Sequence, residues 1–263
     1  MKDISAGKVF LIGAGPGDPE LLTLRALNVL QGADVVVFDR LVSDEIMALV
    51  PDGKRRIDVG KLPGHHPVPQ PEINDILIAL AQEGLTVARL KGGDPLIFAR
   101  GSEEAEALRE AGIAVSYVPG ITAAQGAAAA AGLPLTHRGL ATGIHYVTGH
   151  RARDARLDLD WAALAGGDST LVVYMGVANI AEIAFQLMRH GMPVTLPVLA
   201  VAAATTPRET RMVSTLGAIA ADIAGAAPEA PVLFIIGRVV GLRDLAARTC
   251  AAMTGGSETA AYA

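Results

Sequence analysis

The stretch Val9-Phe10-Leu11-Ile12-Gly13-Ala14-Gly15-Pro16-Gly17-Asp18-Pro19-Glu20-Leu21-Leu22-Thr23 decides how the rest of the chain is read. Four consecutive apolar residues, Val9–Ile12, have the character of a strand buried on both faces, as in a parallel sheet. Three glycines in five positions follow, so the backbone can turn sharply and come close to a ligand. From Glu20 onward Leu21, Leu22, Leu24, Leu27 and Leu30 supply an apolar stripe, which predicts a helix over Glu20–Gln31. Strand, glycine loop and helix in that order often hold a small molecule in α/β proteins, although the same run also serves as a plain tight connection. The loop is no dinucleotide fingerprint. Asp18 and Pro19 stand where G-x-G-x-x-G needs a small residue, and an acid there repels a pyrophosphate. A P-loop run, G-x-x-x-x-G-K-[ST], does not occur.

Outward from this loop, apolar runs alternate with helical patterns. Strands are predicted at Val9–Ile12, Asp34–Phe38, Ile57–Val59, Thr86–Leu90 and Val115–Val118, with helices at Glu20–Gln31, Asp44–Val50, Glu72–Glu83 and Ser102–Ala111. That alternation implies right-handed βαβ units and a mostly parallel sheet. The second half reads differently. Its strands are Ile144–Thr148, Thr170–Tyr174, Val198–Ala202, Arg211–Thr215 and Val232–Ile236, with helices near Thr122–Ala131, Ala178–His190 and Leu216–Ala224. The loop between 198–202 and 211–215 holds no helix, which implies an antiparallel hairpin and a mixed sheet. The expectation is an α/β chain of two α/β domains, 1–119 and 120–248, with a boundary at Pro119-Gly120 and a flexible tail over 249–263.

Composition narrows the function classes. Of 263 residues, 51% are apolar and 19% charged, enough apolar chain for a sizeable core and against disorder. The formal charge of −5 argues against general nucleic-acid binding, which needs a basic face, while leaving room for a local basic pocket. A single cysteine, Cys250, rules out a disulfide within the chain or a thiolate metal cluster. The residues Met1 to Gly7 carry no signal-peptide pattern, and no apolar stretch is long enough to span a membrane. A cytoplasmic setting is expected.

Two further loops repeat the logic of the first. Leu90-Lys91-Gly92-Gly93-Asp94-Pro95-Leu96-Ile97-Phe98 follows a predicted strand, so it lies where open α/β sheets bind ligands. Gly92 and Gly93 offer backbone N–H groups and Asp94 a carboxylate for ribose hydroxyls or a cation; a β-turn with a turn-forming Asp accounts for the run equally well. Tyr117-Val118-Pro119-Gly120-Ile121-Thr122-Ala123-Ala124 also follows a strand and opens a helix, with Thr122 as its cap. Three such loops point to one cleft at the edge of the first sheet. Arg100 and Glu103 sit at the start of the next helix, Arg138 follows an alanine-rich one, and Lys61, His65 and His66 lie in an irregular run. Each arginine alone is an ordinary surface charge. The histidines, including His137, His145 and His150, show no H-E-x-x-H or evenly spaced carboxylate set, so no metal is expected. No G-x-S-x-G elbow is present.

Taken together, the loops Gly13–Pro19, Lys91–Pro95 and Val118–Ala123 resemble those of the tetrapyrrole methylases, S-adenosylmethionine-dependent methyltransferases of class III. Val37-Phe38-Asp39-Arg40-Leu41-Val42, the run Gly60 to Asn74, Pro134-Leu135-Thr136-His137-Arg138 and Val147-Thr148-Gly149-His150 resemble the branch that acts on uroporphyrinogen III. The resemblance covers residues 8 to 245. It implies two α/β domains with the active-site cleft between them, a homodimer, and transfer of two methyl groups from S-adenosyl-L-methionine to C2 and C7 of uroporphyrinogen III, giving precorrin-2 and S-adenosyl-L-homocysteine. By the same resemblance Arg100, Glu103 and Arg138 belong to the tetrapyrrole cavity. Pro16, Gly92, Gly93, Asp94, Ile97, Thr122, Ala123, Met175, Ala204 and Val232 contact the cofactor.

Some positions depart from the family pattern. Ala202-Ala203-Ala204 precedes Thr205-Thr206-Pro207 where an acid and a polar residue are usual, and Leu96 and Ala99 replace the more usual Phe and Gly. The resemblance also implies a chain without the dehydrogenase and chelatase region of fused sirohaem synthases. The alternatives are another precorrin or RNA-directed member of the same family, or, from the first loop alone, a nicotinamide dehydrogenase or a non-catalytic nucleotide-binding module.

Overall fold

The computed structural model describes residues 7–60, 68–150, 157–228 and 231–242. Lys61, His65, His66, Cys250 and the tail 249–263 lie outside them. The chain divides into two units, Met1–Gly126 with Ala204–Pro207, and Ala127–Ala203 with Arg208–Ala263.

In the first unit the buried runs become β1 Lys8–Gly13, β2 Val35–Phe38, β3 Arg55–Asp58, β4 Thr86–Lys91 and β5 Ala114–Val118. They form one sheet in the order β3-β2-β4-β1-β5. Every neighbouring pair is parallel, for example Ile12 beside Leu90 on one side and Val118 on the other. Strands alternate their side chains between faces, so β1 divides its residues between two cores. Val9 and Leu11 pack with Val87, Leu77, Leu80 and Leu108 under α3 (Gln70–Gln82) and α4 (Gly101–Glu110). Ile12 packs with Val36, Leu90, Ala26, Leu30 and Ile46 under α1 (Leu24–Gly32) and α2 (Asp44–Met47). The last first-unit helix is α5 (Ala123–Ala130), within which the division between units falls. Because β4 lies on one side of β1 and β5 on the other, the loops after these three strands emerge side by side at their carboxyl ends, where a ligand finds room.

One expectation fails here. Glu20–Gln31 is not a single helix. Pro19–Leu21 forms a short 3-10 turn, and α1 begins at Leu24. Leu22 and Thr23 are extended, and the Thr23 Oγ1 accepts from the Ala26 N–H at 3.1 Å, which starts a new helix in a new rotational setting. Leu24 therefore points away from the core and is 81% exposed, whereas Ala26 and Leu30 are fully buried.

The second unit holds β6 Gly143–Thr148, β7 Ser169–Tyr174, β8 Pro197–Ala202, β9 Thr210–Thr215 and β10 Val232–Ile236. The order is β6-β7-β10-β8-β9, with β6 and β7 parallel and the other pairs antiparallel. The sheet is mixed, and the β8–β9 hairpin pairs as its helix-free loop implies. Sequence spacing did not foresee that β10, the last strand, inserts between β7 and β8. Nor did it find α6 (Trp161–Ala165), whose few residues are too short to show a helical period and which the Asp160 carboxylate caps. α7 (Ile180–Arg189) and α8 (Ile219–Ala226) cover a core of Leu171, Val173, Ile183, Leu187, Ile219 and Phe234. Among the described residues no helix is long and apolar enough to cross a membrane.

The two leucines of α1 separate the helix settings experimentally. Leu30→Ala is expected to cost about 2–4 kcal/mol through the cavity it leaves, and Leu24→Ser under about 0.5 kcal/mol. Urea unfolding of the two variants checks this, and equal losses would contradict the Thr23 start.

Candidate active site

The three loops converge through their backbones. The Ala14 N–H donates to the Lys91 carbonyl at 2.8 Å, and Gly15 and Gly93 exchange N–H···O bonds of 3.1 and 2.7 Å. A Cβ on Gly13 would fall 2.5 Å from both Gly93 O and Gly120 N, and one on Gly120 would fall 2.2 Å from Gly93 O. Real Cβ atoms do not approach backbone so closely, so β1 and β5 can end against the β4 loop only because glycine stands at 13 and 120, while Gly93 serves the turn through its φ of +68°. The Asp94 carboxylate ties two of the loops, with Oδ2 accepting from the Gly120 N–H at 3.0 Å and Oδ1 from Leu96 N–H at 2.8 Å. Each oxygen keeps a free lone-pair direction for a ligand hydroxyl.

Other first-unit candidates lie around this junction. Pro16 is half-buried, and its ring sits 2.5 Å from where Gly126 would carry a Cβ, so the loop seats against the start of α5. Thr122 caps α5 by accepting from the Gln125 N–H at 3.2 Å, and the Gln125 side chain accepts in return from Thr122 N at 3.3 Å. The Ala123 N lies 3.7 Å from the Cβ direction of Gly93. Ile97 is half-buried in the β4 loop, its N–H donating to the Asp94 carbonyl at 3.3 Å. Ala204–Pro207 clusters with this unit although it is distant in sequence. Thr205 Oγ1 accepts from the Asp18 N–H at 3.1 Å, and Ala204 O and the Thr206 methyl close over Gly17. The loop after β2 joins from the other side, with Ser43 Oγ donating to Gly17 O at 2.7 Å and Leu41 packing on Gly92.

Arg100 immediately precedes α4 in a left-handed conformation, φ 61°, and Phe98 in the same loop has φ 53°. L-residues adopt this region at a cost, so surrounding contacts must hold it. The Arg100 guanidinium meets Glu103 in a two-pronged pair, Nε–Oε1 2.9 Å and a second nitrogen to Oε2 at 2.7 Å. The hydrogen bonds that Arg100 donates to Glu103 raise the Arg100 pKa and lower that of Glu103. Both groups therefore stay ionised, and both are about half exposed, presented to solvent or ligand.

Beneath this loop lies a cluster that sequence reasoning did not single out. Arg89 and Glu104 are completely buried, Lys91 is 3% exposed, and Asp39 is 26% exposed. Glu104 Oε1 accepts from Lys91 Nζ at 2.6 Å, from Arg89 at 3.0 and 3.3 Å and from Gln70 at 3.2 Å, while Arg89 reaches Asp39 at 2.8 Å. Glu104 Oε2 is buried without a partner. Burial presses the Arg89 pKa down, but the Glu104 and Asp39 carboxylates outweigh it and the net shift is upward. Lys91 moves the other way, lowered first by burial and then by the Arg89 charge. A signal existed in the sequence: Arg89 and Lys91 alternate with Val87, Ala88 and Leu90 in a strand otherwise fit for full burial, and a charge in such a strand needs a partner.

The second unit carries the remaining candidates. Arg138 is exposed in the tight turn 137–141, whose backbone is fixed by a His137–Ala141 bridge, and its guanidinium has no ion pair among the described residues. Met175 follows β7 with φ 53° and is 49% exposed. Val232 opens β10 opposite Ala202 and is 5% exposed. It also lines an apolar cavity of about 260 Å³ inside this unit, with Ala202, Thr210, Met212 and Ile223.

Comparison with known proteins adds four findings. A family model described as tetrapyrrole (corrin/porphyrin) methylases matches residues 8–220. The chain is 66% identical over 238 residues to the uroporphyrinogen-III C-methyltransferase of Paracoccus denitrificans, covering 90% of this chain and 83% of that protein. It is 53% identical to siroheme synthase 2 of Serratia proteamaculans, covering 90% of this chain but 50% of the relative, so it spans about half the length of such synthases. Among solved structures it superimposes, with TM-score 0.76 and 42% identity, on the uroporphyrin-III C-methyl transferase of Thermus thermophilus complexed with S-adenyl homocysteine, covering 90% of this chain and all of that one (100%).

The glycine junction yields a stability test. Gly120→Ala is expected to cost about 1–3 kcal/mol or more, because the atom it meets is backbone and cannot swing aside. Gly32→Ala, at the end of α1 with open space around it, is expected to be neutral or stabilising by up to about 1 kcal/mol. Thermal or urea unfolding reads both, and a neutral Gly120→Ala would contradict the junction.

Proposed function

The chain belongs to the tetrapyrrole (corrin/porphyrin) methylases, and from that premise we propose that it transfers two methyl groups from S-adenosyl-L-methionine to C2 and C7 of uroporphyrinogen III, giving precorrin-2 by way of precorrin-1. The observation that carries the substrate is the 66% identity to the Paracoccus enzyme over most of both chains. The Thermus relative, bound to S-adenyl homocysteine, supports the choice of methyl donor.

The chemistry asks for what the loops offer. The donor is a sulfonium cation, and its charge disperses as the methyl leaves. A site that excludes water and aligns carbon, methyl and sulfur supplies most of the acceleration. The glycine junction provides close backbone approach. Gly92, Gly93 and Asp94 are assigned to the amino-acid and ribose portions of the donor, with Pro16, Ile97, Thr122 and Ala123 alongside and Ala204 closing over the first loop. Met175, Ala204 and Val232 are assigned to adenine, the last two through backbone groups. Most of these contacts run through backbone groups, which tolerates the departures at Leu96, Ala99 and Ala202–Ala204.

Uroporphyrinogen carries eight carboxylates, so a net-acidic chain must hold them on local cations, and a planar guanidinium is the fitting fork. Arg100 and Arg138 take that role. The raised pKa of Arg100 suits a permanent cation and hydrogen-bond donor and disfavours it as a base. Glu103 fixes the direction of the Arg100 fork. The enzyme acts as a cytoplasmic homodimer in this reading.

Two variants test the assignment. Asp94→Ala is expected to weaken S-adenosyl-L-homocysteine binding about tenfold or more in a calorimetric titration. Arg138→Ala is expected to lower turnover about 10- to 100-fold in an anaerobic assay while keeping the fold and the cofactor affinity. Native values for both would remove the site assignment, and label entering only a later precorrin would move the substrate within the family.

A further inference from the structure

We propose that Lys91 and Glu104 form a buried clamp that closes the loop 92–103 and holds Arg100 and Glu103 in their working direction, which makes Lys91 a positioning residue. Lys91 is the last residue of β4 and Glu104 lies in the first turn of α4. Their 2.6 Å ion pair therefore joins the two ends of the segment that carries Gly92, Gly93, Asp94, Ile97, Arg100 and Glu103. The segment stores strain, since Phe98 and Arg100 both occupy the left-handed region. Such conformations persist only where the surroundings over-determine them. Gly101 N–H donates to Pro95 O at 3.0 Å within the segment, and Asp94 and Gly93 tie its first residues to Gly120 and Gly15. The clamp, with the Arg89–Glu104 bonds beside it, joins β4 to α4 across the whole segment.

The construction of the cluster supports this. Ordinary packing gains nothing from burying Arg89, Lys91 and Glu104 together, because replacing such ions by apolar residues is often neutral or favourable. All the donors crowd onto Glu104 Oε1 while Oε2 stays buried and unmet, a costly arrangement for stability alone. What the arrangement achieves is direction. Glu103 and Glu104 are neighbours, so fixing Glu104 inward on Lys91 turns Glu103 outward toward Arg100. Arg89 extends the same network to Asp39 at the end of β2, and Gln70 extends it to α3, so four elements share one reference point. Burial and then the Arg89 charge lower the Lys91 pKa, and the Glu104 contact works against both.

The inference rests on the reading of Arg100 and Glu103 as substrate-facing groups, and its test separates the two. Amide hydrogen exchange is followed in the full chain with Lys91→Met, and methyl transfer to uroporphyrinogen III is measured in that variant, in Arg100→Ala and in the double variant. Lys91→Met is expected to speed exchange across 92–103 about tenfold or more and to leave β7 and β10 at the native rate. It is expected to lower kcat about tenfold in the native background and less than about twofold in the Arg100→Ala background, since the two act through one fork. Lys91→Gln, which keeps an N–H donor without the charge, gives the same local acceleration in weaker form and carries the test if the methionine variant does not fold. Native exchange over 92–103, or equal acceleration everywhere, overturns the clamp. Local acceleration with full turnover in Arg100→Ala leaves the clamp standing and removes Arg100 as a substrate ligand.

Discussion

Everything at the functional end of the first unit depends on three backbones meeting without side chains. Gly13, Gly93 and Gly120 stand at or just after the carboxyl ends of β1, β4 and β5, and no Cβ fits at Gly13 or Gly120 without striking backbone. Because these strands are adjacent and parallel, their loops are delivered to one place by the sheet itself. The glycines then allow N–H and C=O groups to interlock, and Asp94 completes the tie by holding the Gly120 N–H. A ligand surface made of fixed backbone dipoles needs no reorganisation when a charged donor reacts there, which is the economy of such sites.

Charge is arranged around that junction in two layers. The exposed layer is the Arg100–Glu103 fork, with both groups ionised and available. The buried layer is Arg89, Lys91, Glu104 and Asp39, which shares α4 with the fork through Glu104. The outer pair is worth little as a stabilising surface ion pair. Its value in the proposed reaction is directional, because a polyanionic macrocycle must be held in one orientation for a methyl group to reach a chosen carbon. The inner layer supplies rigidity from below, and its cost is offset by the extensive apolar core formed by the two faces of the sheet.

Much of this was legible in the sequence, for identifiable reasons. The strands were found because buried parallel strands are continuous apolar runs, as in Val35–Phe38. The glycine loops were found because three of them follow strands. Most of the missed features need distant partners, and one turns on a local cap. The start of α1 at Leu24 turns on a hydroxyl cap that competes with a leucine run reading equally well as a longer helix. The insertion of β10 between β7 and β8 is a pairing choice that no local pattern encodes. The bond from Asp18 to Thr205 spans 187 residues, so the tie of Ala204–Pro207 to the first loop had no local signature. The buried cluster could have been suspected from Arg89 and Lys91 in an apolar strand, but nothing local marks Glu104 on α4 as their partner.

The most direct measurement is a crystal structure of the full chain with S-adenosyl-L-homocysteine. The account predicts that the amino-acid and ribose portions lie within hydrogen-bond distance of Gly92, Gly93 and Asp94, with Thr122 and Ala123 alongside. Density for the ligand in the apolar cavity beside Val232 and Met212, with the glycine loops left bare, would contradict it.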